Sequence, residues 1–71
     1  MESPAMKIEI EQEVNGRWIA DAVELPGVMA YGAARDEAVR KVETLALRVI
    51  ADRLELGDNI PEVEEVFSIV P

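Results

Sequence analysis

Met6-Lys7-Ile8-Glu9-Ile10-Glu11-Gln12-Glu13 alternates apolar and polar residues, Asn15-Gly16 follows, and Arg17-Trp18-Ile19-Ala20-Asp21-Ala22 runs back. A period of two is the mark of a strand with one buried face. Asn-Gly between two such arms signals a hairpin, because both residues tolerate a positive φ. The loop length then sets every side chain's face, since a slip of one residue flips the strand. A two-residue turn would put Glu9, Glu11 and Glu13 on the face of Trp18, Ala20 and Ala22. A three-residue loop with Gly16 as the left-handed bulge residue aligns Ile8 and Ile10 with Trp18, Ala20 and Ala22 instead. The second register makes a continuous apolar face, and its small alanines leave room for a helix, so it is the one expected.

Outward from the hairpin, the return strand covers residues 17–24 and ends at Leu25-Pro26-Gly27. Pro cannot donate to a ladder and Gly permits the bend. Residues 28–31 suffice for a short third strand, closed by Gly32. Residues 35–56 read as one long helix with Ala34 at its N-cap, Asp36 and Glu37 in its first turn and Gly57 as a left-handed C-cap. Ala38, Val42, Leu45, Val49 and Leu56 form the stripe predicted to face the sheet. Val39, Leu47, Ile50 and Leu54 form a second stripe, and the two span an apolar arc of roughly 200°. After the turn Asp58-Asn59-Ile60-Pro61, residues 63–70 read as a last strand. The fold expected is α+β: a three-stranded antiparallel meander, one long helix, then a fourth strand. A right-handed crossover gives the order 3-2-1-4 with the helix on one face. Residues 1–5 read as a loose leader and 6–71 as a single domain.

Composition narrows the chemistry. The chain has 71 residues, fifteen acids, seven bases, no His and no Cys, for a formal charge of −8. Disulfides, thiol nucleophiles and zinc sites built on Cys or His are excluded. An excess of acid disfavours direct binding to nucleic acid, where phosphates reward clustered Lys and Arg. No apolar run approaches the ~20 residues of a membrane span, and a cytoplasmic setting is expected. No cofactor is implied. No triad or His supplies a general base tuned near neutral pH, so the chain reads as a non-enzyme. A metal-dependent nuclease would need converging carboxylates that the spacing of Glu9, Glu11 and Glu13 does not itself supply.

Lys7-Ile8-Glu9-Ile10, Gly16-Arg17-Trp18-Ile19-Ala20, Glu24-Leu25-Pro26-Gly27-Val28, Tyr31-Gly32 and Arg35-Asp36-Glu37-Ala38, in that order, resemble the HicB-like family of bacterial antitoxins. The resemblance implies a partial RNase H-like fold of order β-β-β-α-β. It also implies non-covalent neutralisation of a small basic, RNA-cleaving HicA-type toxin in a type II toxin-antitoxin system. Two departures stand out. Ala34 occupies an N-cap position where the family commonly has Ser, Thr or Asp. The sequence ends at Pro71, so the DNA-binding C-terminal segment of longer relatives is not carried over. The alternative is a solitary, oligomeric HicB-like domain with a structural or regulatory role.

The open sheet face is the candidate partner surface, with Glu9, Glu11, Ile19, Asp21, Val23 and Tyr31 as its residues. In the bulged register Glu9 lies opposite Asp21, and Glu13 and Arg17 offset each other across the turn. Acid interspersed with apolar side chains suits a basic partner by electrostatic steering. Trp18 is expected in the core. Val39, Leu47, Ile50 and Leu54 on the helix, with Val66 and Val70 on the last strand, are the expected oligomer interface. A domain this small gains from self-association, so a homodimer or a dimer of dimers is predicted.

Overall fold

Strands β1 (Ile8–Gln12), β2 (Trp18–Ala22) and β3 (Met29–Gly32) precede helices α1 (Arg35–Glu55) and α2 (Pro61–Val66) in the computed structural model, which describes residues 6–70. The expected leader, residues 1–5, lies outside the described residues.

The strands form one antiparallel meander of order β1-β2-β3. Its first hairpin has the bulged register: Ile8 pairs with Ala22, Glu9 with Asp21, Ile10 with Ala20 and Glu11 with Ile19. The loop is Val14-Asn15-Gly16, with Gly16 at φ 92°. The Glu13 N–H donates to the Arg17 carbonyl at 2.7 Å, and the Gly16 N–H donates to the Glu13 carbonyl at 2.8 Å. The Asn15 side-chain oxygen accepts from the Arg17 N–H at 2.9 Å. In the second turn, Gly27 takes φ 86° and lets Leu25 and Val28 fold under the sheet into the core.

The core is narrow and built from small residues. Ala20, Ala22, Leu25, Val28, Ala38, Val42 and Ala46 are buried, and Val42 is the largest side chain that is fully enclosed. Alanines on both the sheet and the helix bring the two backbones close. At the first turn of α1 the approach is closest. A Cβ on Gly32 would stand 2.6 Å from the Ala38 nitrogen and 3.0 Å from the Ala34 carbonyl oxygen. Met6, Ile8, Ile10, Trp18, Ala30, Val49 and Ile50 pack around this centre, partly buried.

The buried stripe of α1 is therefore Ala38-Val42-Ala46, continued by Val49. Leu45 and Leu56, expected against the sheet, are both exposed. Leu45 lies one position beside the contact line, where the small Ala46 is required. Leu56 falls beyond the sheet altogether. At 1.5 Å per residue the 21-residue α1 is about 31 Å long, whereas a five-residue strand spans about 17 Å. Beyond Ile50 the end of α1 overhangs the sheet. A radius of gyration of 14.1 Å, against about 11 Å for a compact chain of this length, reflects that overhang together with the residues beyond α1. The helix ends in a Schellman arrangement, with Gly57 at φ 93°, its N–H on the Leu54 carbonyl, and the Asp58 N–H on the Arg53 carbonyl.

The fourth strand expected over residues 63–70 is absent among the described residues. Pro61–Val66 is a helix, α2, and residues 67–70 are extended without a strand partner. Pro61 stands in its first turn, where a fixed φ suits the helix and the missing N–H loses nothing. Val66 and Val70 thus do not share a sheet edge: Val66 closes α2 and Val70 lies in the extended segment.

Because backbone atoms of α1 meet Gly32, a side chain there cannot be absorbed by a rotamer change. Gly32→Ala is expected to destabilise the chain by roughly 1–3 kcal/mol, read by urea denaturation, whereas Ala33→Ser beside it is expected to change stability little.

Candidate functional site

Alternation along the strands divides the sheet cleanly. Ile8, Ile10, Trp18, Ala20, Ala22 and Ala30 turn toward α1. Glu9, Glu11, Ile19, Asp21, Met29 and Tyr31 turn away from it. No element covers this second face among the described residues, since the sheet and α1 are the only layers in contact.

Its centre is a shallow concavity lined by Glu9, Ile10, Glu11, Ile19, Asp21 and Met29. Four of the six residues expected to bind a partner are thus brought together there: Glu9, Glu11, Ile19 and Asp21. Tyr31 sits on the same face directly across from Ile19. Val23 lies one residue past the end of β2, exposed, with its N–H on the Lys7 carbonyl at 3.0 Å. Met29 belongs to the concavity and was missed by sequence reasoning; the two-residue offset between Met29 and Tyr31 was the available signal.

Charge is uneven across the face. At the turn end, the Arg17 Nε donates to the Glu13 carboxylate at 2.8 Å. The same guanidinium lies 4.0 Å from the centre of the Tyr31 ring. Exposed ion pairs and cation–π contacts each contribute about 1 kcal/mol or less, but together they fix Arg17 and hold the tyrosine ring down. The other three carboxylates are in no ion pair among the described residues. Glu9 and Asp21 are direct cross-strand neighbours, and like charges so placed disfavour the isolated sheet. Lys7 stands at the far end of β1, its backbone N–H bonded to the Glu24 carboxylate at 3.0 Å. The face is therefore acidic along β1 and β2, with an apolar strip of Ile19, Met29 and Tyr31 beside it.

Of the residues expected at an oligomer interface, Val39, Leu47, Ile50 and Leu54 lie on α1, whereas Val66 and Val70 lie beyond it. Leu47 and Leu54 are exposed on α1. Val39 is half-buried, and Ile50 packs on the core. Val66 and Val70 are exposed beyond the helix. Among the described residues no group of three or more Asp or Glu side chains is placed to hold a metal ion, and no helix is long and apolar enough to cross a membrane.

No family model, no curated protein and no solved structure matches this chain.

At the edge of the face, α1 begins without a capping side chain: Ala34 takes an extended conformation and offers no acceptor. Glu37 compensates from within the helix. Its Oε1 accepts from the Ala33 N–H at 2.7 Å and its Oε2 meets the Lys41 ammonium at 3.3 Å. The Ala33 hydrogen bond first, then the bond and charge of Lys41, hold the Glu37 carboxyl below the ordinary glutamate value. A lowered value in the fold means that this anchoring is complete above about pH 4.5 and is lost as pH falls through the lowered value. A titration of the Glu37 carboxyl followed by NMR is expected to show the depression. Lys41→Ala should return it part of the way only, because the Ala33 contact remains.

Proposed function

We propose that this chain is an antitoxin-like binding module that occludes a small basic protein of HicA type, in a cytoplasmic toxin-antitoxin pair. The observation that carries the reading is the opposition of Glu9 and Asp21 on an uncovered sheet face, with Glu11 beside them and Ile19 and Met29 in the same concavity. A like-charge pair that weakens the free sheet is relieved when a Lys or Arg is placed between its members. The apolar strip provides the area that a charged patch alone lacks. A net charge of −8 steers a basic partner toward the chain. Support also comes from the ordered resemblance to HicB-like antitoxins; its link to a partial RNase H-like fold rests on the meander and the long helix. Binding of this kind requires no catalytic group, and none is assigned.

A second reading, a self-associating domain acting without a toxin, is favoured by a specific feature. Leu47 and Leu54 are exposed along α1, Leu56 is exposed at its C-cap, and further large apolar side chains stand out beyond it. We propose self-association for either role, since the buried core holds few large side chains.

Two experiments separate these readings. The toxin-binding reading requires a short basic reading frame encoded beside this one, and pull-down after co-expression with it is expected to recover both chains. Failure to co-purify at every salt concentration tried contradicts the toxin-binding reading. Asp21→Asn then tells a binding face from a merely solvated one. It is expected to stabilise the free chain by about 0.2–1 kcal/mol, by relieving Glu9. It should also weaken partner binding and flatten its salt dependence. A gain in stability with unchanged affinity would contradict the assignment of the face.

A further inference from the structure

Phe67-Ser68-Ile69-Val70 is an apolar segment in extended conformation with no strand beside it among the described residues. Phe67 is 69%, Ile69 97% and Val70 81% exposed. An extended chain places Phe67 and Ile69 on one side and Ser68 and Val70 on the other. The segment is also held away from its own sheet. The overhang of α1 carries the chain past the sheet, and among the described residues α2 comes near neither the strands nor α1.

The sheet has a matching vacancy in its hydrogen bonding. The Val23 N–H bonds to the Lys7 carbonyl and the Glu13 N–H to the Arg17 carbonyl. By the alternation of an antiparallel ladder, Glu9 and Glu11 therefore bond inward to β2. The backbone groups of Ile8, Ile10 and Gln12 point outward along the free edge. On that edge the helix side is under-covered: α1 lies over β2 and β3 and touches β1 least. Ile8 and Ile10 remain half-buried as a result. The opposite edge, β3, is shorter and lies beneath the helix. An exposed strand edge of this kind is a template for pairing.

We infer that residues 67–70 of one protomer add as a strand to the β1 edge of a second copy, and that the exchange is reciprocal. Phe67 and Ile69 lie on the helix side against Ile8 and Ile10 of the receiving copy. Ser68 lies on the open-face side, level with Glu9 and Glu11. Each protomer gives one segment and receives one, so the contact area of a single strand addition is doubled toward the size that stable dimers need. The inserted segment carries no charge. Two strongly acidic chains can thus meet along it while their acidic sheet faces stay apart and open. The inference rests on the self-association reading and leaves the toxin-binding reading untouched.

The chain has no Cys, so a double variant reports the pairing directly. Glu9→Cys with Ser68→Cys, and in parallel Glu11→Cys with Ser68→Cys, are oxidised and run under denaturing, non-reducing conditions. At least one is expected to give a disulfide-linked dimer, whereas Lys41→Cys with Ser68→Cys gives none. A disulfide within one chain would show the segment closing on its own sheet and overturn the inference. No disulfide in either test pair overturns it as well. In the unmodified chain, the amides of Ile8, Ile10 and Gln12 are expected to exchange on the order of tenfold or more slower than in the Ile69→Asp variant. Light scattering places the failure: a monomer mass for the unmodified chain removes self-association altogether, whereas a dimer unaffected by Ile69→Asp removes only the strand exchange.

Discussion

A left-handed backbone at Gly16 closes a three-residue loop, and the rest of the molecule depends on the register that loop imposes. With Glu13 and Arg17 locked across it, Ile10 faces Ala20 and Glu9 faces Asp21. The apolar side chains of both strands other than Ile19 then lie on one face and the acids Glu9, Glu11 and Asp21 on the other. One residue less in the loop would put three glutamates against the alanines that receive α1. The helix could not dock on charged residues without several kcal/mol of desolvation for each.

Once the faces are divided, small residues do the packing. Ala20 and Ala22 beneath Ala38, Val42 and Ala46, with Gly32 under the first turn, allow a close helix-to-sheet contact but enclose few large side chains. Such a core holds the sheet and α1 together as far as Ile50 and leaves the end of α1 beyond it without a counterpart. The same economy at the helix start replaces a capping residue by Glu37, tethered to Ala33 and Lys41. The result is a thin two-layer body with an acidic face on one side and an unpaired strand edge.

The hairpin, its bulge and both ends of α1 could be read from residues because each depends on local chemistry: alternation, a glycine at positive φ, acids in a first turn. Three features could not. The helix stripe was misplaced at Leu45 because hydrophobicity favours leucine, whereas the close contact selects Ala46, and a 3.6-residue period cannot weigh size against apolarity. Residues 63–70 read as a strand because Val, Phe and Ile favour extended structure. Pro61 is as well suited to opening a helix as to starting a strand, and only tertiary pairing decides between them. The stacking of Arg17 on Tyr31 joins residues brought side by side by the β2–β3 pairing, which no spacing in the chain announces. The acids of the candidate face were visible from alternation alone, but Met29 entered the concavity through the register of β3.

The measurement that bears most directly on this account is the pattern of Hα–Hα contacts across the first hairpin in solution. The bulged register makes Ile10–Ala20 and Ile8–Ala22 non-hydrogen-bonded pairs, with their Cα atoms about 4.5 Å apart. Strong nuclear Overhauser effects between the α-protons of Ile10 and Ala20, and of Ile8 and Ala22, are the predicted result. Strong effects linking Glu11 to Ala20 and Glu9 to Ala22 in their place would mean a two-residue turn, glutamates beneath the helix and no acidic open face, and would contradict the account.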